Sequence, residues 1–75
     1  MTKEDCEQLR REIKLVADKV LATRDLRDAA TPGEAVANVT LAYRHLEDAG
    51  MRLGKAIQAI DGGVSVYDRT QVAGA

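Results

Sequence analysis

The sequence predicts an all-α fold: an antiparallel two-helix hairpin that oligomerises through its apolar faces, with a short irregular C-terminal tail. Apolar residues recur at helical spacing along both halves of the chain, and a strong restart signal, TPGE at 31–34, divides the halves. A chain of 75 residues also has little else with which to bury a core. A monomer of this size hides only about 60% of its unfolded surface.

The first helix is predicted over about residues 3–29, a stretch free of proline and glycine. Cys6, Leu9, Ile13, Val16 and Val20 alternate at spacings of 3 and 4, and Leu15, Ala22, Leu26 and Ala29 widen that stripe or form a second one. Glu4 and Asp5 sit in the first turn, where the helix dipole favours them. Glu7 and Arg11, and later Asp48 and Arg52, are placed to pair at i,i+4.

The second helix is predicted over about 32–61. Thr31 suits its N-cap, Pro32 its first helical position, and Glu34 a capping box. Val36, Val39, Tyr43, Leu46, Gly50, Leu53, Ile57 and Ile60 then follow at alternating spacings of 3 and 4, until Gly62 and Gly63 end the run. At about 1.5 Å per residue this helix is roughly 43 Å long. The short joint makes the helices antiparallel neighbours, so residues 1–63 form the hairpin and 64–75 the tail.

Ala35, Ala42, Ala49 and Ala56 fall one heptad apart, each just before a seam residue. With Gly50 and Gly54 they give a flat strip that another backbone could approach closely. The expected contact surface between chains is Ala35, Val39, Ala42, Tyr43, Leu46, Ala49, Gly50, Leu53, Ala56 and Ile57. The simpler alternative for the alanines is helix propensity.

Composition narrows the function classes. Eleven Lys and Arg against twelve Asp and Glu leave a net charge of −1, which argues against a nucleic-acid polymer as partner. No apolar run approaches the roughly 20 residues of a membrane span, so no membrane partner is expected. Cys6 and His45 are the only Cys and His, too few for a zinc site. No metal, cofactor or catalytic group is expected, and the lone thiol fits a reducing, cytoplasmic setting. The basic residues carry more information. Arg24 and Arg27 precede the turn, near the N-terminus of the second helix, where free N–H groups and guanidinium groups together favour an anion. Lys14, Thr31, Arg44 and Tyr67 complete the candidate ligand-binding set, with Tyr67 the freer of the two rings that could stack on a base. In a single hairpin these cations would be ordinary surface charges. In a symmetric oligomer they would repeat around a shared cleft.

The run AYRHLEDAGMRLGKAI, residues 42–57, resembles the helical-hairpin domain of small phage proteins that block the CBASS and Thoeris defences. Their string HL-x-x-x-x-M-x-L-x-(K/R)-A-I is matched by His45, Leu46, Met51, Leu53, Lys55, Ala56 and Ile57. The resemblance implies a cyclic-nucleotide sponge: a homo-oligomer, with a hexamer favoured, working in the host cell cytoplasm. It would hold a cyclic di- or trinucleotide or a cyclic ADP-ribose-type signal between protomers without cleaving it. It also implies that Lys14 contacts the ligand, and it sets Glu34 where the family has an arginine. The rival expectation is an oligomerisation or adaptor module that binds a partner protein through the seam.

Overall fold

The computed structural model describes residues 1–62, and among these it is a pair of helices, α1 (Lys3–Asp25) and α2 (Gly33–Ile60), with no strand. The tail at 64–75, with Tyr67, lies outside the described residues.

α1 opens with a complete capping box. The Asp5 N–H donates to Thr2 Oγ1 at 3.2 Å and the Thr2 N–H donates to Asp5 Oδ2 at 2.8 Å. Two of the N–H groups that a helix start leaves without partners are satisfied in this way. The helix ends at Asp25, short of the expected Ala29. Its last turn tightens, with the Leu26 N–H donating to Thr23 O and the Arg27 N–H to Arg24 O. Beyond it, Asp28 Oδ1 accepts from the Ala30 N–H at 2.9 Å and from the Thr31 hydroxyl at 3.3 Å. These short-range bonds compete with the helical ladder. Leu26 is 81% exposed, so no burial rewards a further turn.

The same turn overturns the expected start of α2. Thr31 is not its cap, because the Thr31 hydroxyl is turned back to Asp28, whose N–H donates to it at 3.1 Å. Pro32 takes the N-cap position instead, in extended backbone and with no side-chain cap, and Gly33 opens the helix. The Pro32 carbonyl accepts from the N–H groups of Ala35 and Val36. The other end follows expectation. Asp61 caps α2, and Gly62 adopts φ 95°, the left-handed conformation in which glycine is the least costly residue.

The helices run antiparallel, and a salt bridge from Lys3 Nζ to Asp61 Oδ2 at 3.3 Å joins the first turn of α1 to the end of α2. Between the helices there is little core. Only Cys6 (1% exposed) and Ala17 (5%) are buried among the described residues, and α2 buries none fully. The α1 stripe is kept in part: Cys6 is buried and Ile13 and Val20 are partly covered as expected, while Leu9 and Val16 are about half exposed and Ala17, outside the expected stripe, is buried. With Ala17 on the contact line, Val16 lies about 100° round the helix from it and is turned outward. On α2 the expected seam residues from Val36 to Ile57 are all partly covered by α1. The expected Glu7–Arg11 and Asp48–Arg52 pairs do not form. Glu7 instead lies 4.0 Å from Lys3 Nζ, and Arg11 donates to Gln8 Oε1 at 2.8 Å.

Seam position governs which side a residue faces. Ala42, Ala49 and Ala56 lie one residue before Tyr43, Gly50 and Ile57, whereas Glu47 and Met51 lie one residue after Leu46 and Gly50. A step of about 100° in each direction puts the two sets on opposite flanks of the hairpin. The same arithmetic on α1 puts Leu9 and Val16 on the alanine flank, and Lys14 and Asp18 on the other. Ala35 and Ala42 are exposed and Ala49 and Ala56 partly so; the chain does not cover its own alanine column.

Candidate functional site

Two recesses lie along the inter-helix seam, and four of the six expected ligand residues line one or the other. The smaller, about 170 Å³, lies at the turn and is lined by Arg24, Arg27 and Thr31 with Thr23, Leu26, Ala35, Val36 and Val39. Three residues singled out from sequence are therefore brought to one place. The end of α1 supplies the arginines, and the Asp28 turn swings Thr31 beside them. No carboxylate is among its lining residues. Two carboxylates touch the lining from outside it: Asp28 Oδ1 accepts from the Thr31 hydroxyl at 3.3 Å, and Asp25 Oδ1 lies 3.4 Å from Arg24 Nη2 in an exposed pairing that contributes little. The start of α2, lacking a side-chain cap, adds the positive end of a helix dipole at the same place.

The larger recess is a groove of about 520 Å³ midway along the hairpin. Ile13, Ala17, Leu46, Gly50 and Met51 supply its apolar surface, and Glu7, Arg10, Arg11, Lys14, Asp18, Tyr43 and Glu47 its polar surface. Here the charges balance. Lys14 Nζ lies 3.7 Å from Asp18 Oδ1, with both side chains mostly exposed. The Glu47 carboxylate one turn beyond Tyr43, and then partial burial, raise the phenol above its ordinary range.

Lys14 is thus in a different recess from Arg24, Arg27 and Thr31, with close to three turns of α1 between Lys14 and Arg24. Arg44 is exposed and lines neither recess, so the hairpin does not bring it to the other candidates. Tyr67 lies outside the described residues. Gly54, expected to extend the flat strip, is covered: a Cβ built there would sit 3.6 Å from Arg10 Cζ. Sequence reasoning missed Arg10, Arg11 and Glu47. Their signal was their register, three to four residues from Ile13, Lys14 and Tyr43, which sets them along the seam. His45 is exposed and Cys6 is buried. Among the described residues no cluster of His, Cys, Asp and Glu could hold a metal ion, and no helix is long and apolar enough to cross a membrane.

No protein-family model, curated protein or solved structure matches the chain.

Proposed function

We propose that this protein is a non-enzymatic sponge of the phage immune-evasion kind: a homo-oligomer, hexameric by preference, that sequesters cyclic oligonucleotide signals in the host cytoplasm. The observation that carries the reading is the meeting of Arg24, Arg27 and Thr31 in a cleft whose lining has no carboxylate. Guanidinium groups beside a helix N-terminus suit a phosphodiester. At about 170 Å³ the cleft is below the roughly 300 Å³ of a typical small-ligand pocket, so a cyclic dinucleotide needs a second protomer to close over it. The near absence of a core in the single hairpin supports that assembly. The resemblance of residues 42–57 supports the ligand class.

Calorimetry of nucleotide-free protein against cyclic dinucleotides, cyclic trinucleotides and cyclic ADP-ribose variants tests the reading. The double substitution Arg24→Ala/Arg27→Ala should reduce affinity by about 100-fold or more, since charge-assisted hydrogen bonds contribute roughly 1.5–3 kcal/mol each. Failure of every nucleotide to bind would sink it. A second reading, a partner-binding adaptor, is favoured by one observation: Leu9 (47% exposed) and Val16 (48%) stand open on the alanine flank. The adaptor would keep its partner when both arginines are removed.

A further inference from the structure

Gly50 is the residue of α2 that the hairpin does not explain. Its φ is not positive, since Gly62 alone has that conformation among the described residues. A Cβ built on Gly50 would meet nothing within 4 Å, so no close neighbour demands the glycine. Glycine inside a helix costs about 1 kcal/mol relative to alanine. The chain therefore bears a penalty that neither backbone conformation nor internal packing requires. What Gly50 does is leave a partly exposed stretch of helix backbone without a side chain at the groove, beside Leu46 and across from Ile13 and Ala17. A flat apolar surface of that kind fits a planar ring better than a branched side chain.

The groove's polar residues then say which ring. Arg11 and Lys14 stand on the α1 side and Glu47, next to Tyr43, on the α2 side. A purely apolar occupant would leave these charges unused. Adenine's Watson–Crick edge offers Glu47 one donor and sets a ring-nitrogen acceptor against the carboxylate. Guanine's edge offers N1–H and N2–H together, which matches the two oxygens of a carboxylate. The present bonds of the cations, Lys14 to Asp18 at 3.7 Å and Arg11 to Gln8 at 2.8 Å, are exposed and cheap to exchange for a phosphate. The volume of about 520 Å³ suits one nucleotide unit.

We infer that the groove over Gly50 is a slot for a guanine nucleotide, with the ring on the Gly50 backbone, its donor edge on Glu47 and its phosphate on Arg11 and Lys14. The inference rests on the nucleotide-sequestering reading and adds to it a second, base-selective site on the flank opposite the alanine column. Binding of cyclic di-GMP and cyclic di-AMP to the full chain, followed by calorimetry, tests it together with thermal melting. Wild type should prefer cyclic di-GMP by on the order of tenfold or more. Gly50→Ala should raise the melting temperature, because alanine is the better helix former and its methyl meets open space, yet weaken cyclic di-GMP binding several-fold. Glu47→Gln should erase or reverse the preference, since an amide offers the donor and acceptor that adenine's edge matches. A Gly50→Ala variant that binds like wild type, or a wild type indifferent to the base, overturns the slot. Loss of binding only in Arg24→Ala/Arg27→Ala overturns the slot and leaves the sponge standing; no binding of either dinucleotide also overturns the slot, and the sponge falls with it only if cyclic trinucleotides and cyclic ADP-ribose variants fail to bind as well.

Discussion

The two helices begin with similar letters, TKED and TPGE, yet start in different ways. At the first, Thr2 and Asp5 exchange hydrogen bonds and close the end of α1. At the second, the better-looking box never forms, because Asp28 three residues upstream captures the Thr31 hydroxyl and holds it in the turn. A capping motif is thus decided by which backbone N–H the threonine hydroxyl accepts from. The closed end is a structural feature. The open end lies beside Arg24 and Arg27 and is the better place for an anion.

Substitutions can break that comparison. The largest effect on the fold should come from the line both helices share: Ala17→Leu overfills a position only 5% exposed and should cost about 1–3 kcal/mol in chemical denaturation. Next, Thr2→Ala should cost about 1 kcal/mol and fray the start of α1, read by amide exchange at Asp5 and Cys6. Thr31→Ala should cost less than Thr2→Ala, and should leave the first turn of α2 as protected as before, since Thr31 does not cap it. Equal costs would mean that Thr31 caps α2 in solution.

The smallest effect is a pH dependence. Hydrogen bonds from the Thr2 backbone and then its side chain lower the Asp5 pKa below its ordinary value. A depressed folded-state pKa means that the box contributes stability above the unfolded value of about 3.9, and loses it as pH falls through the lower folded value. Helicity of α1 should therefore decline below about pH 4 in wild type, and Asp5→Asn should remove that part of the acid response.

Much of the fold was legible because it is periodic. The seam from Val36 to Ile57 survives intact, since spacings of 3 and 4 dictate one helix face whatever that face packs against. The α1 stripe was less legible. Both Leu9 and Ala17 fit the helical period, and choosing between them depends on how closely α2 approaches. Of the candidate ligand residues, Arg24, Arg27 and Thr31 were found because they surround the one turn, where sequence neighbours remain spatial neighbours. The groove was missed because it needs Arg11 and Lys14 from one helix opposite Glu47 from the other, and register across a hairpin is not written in either helix alone.

By itself the sequence determined that there are two helices, that Gly62 ends the second, and that the chain is too short for a substantial core. Those features follow from local propensity, periodicity and length. Tertiary structure decided the rest: that Ala17 joins Cys6 on the contact line, that Arg10 packs over Gly54 while a Cβ on Gly50 would meet nothing, and that Thr31 serves the turn rather than α2. These are outcomes of competition between neighbours for the same space or the same hydrogen bond, and such contests are settled only when the helices are in place.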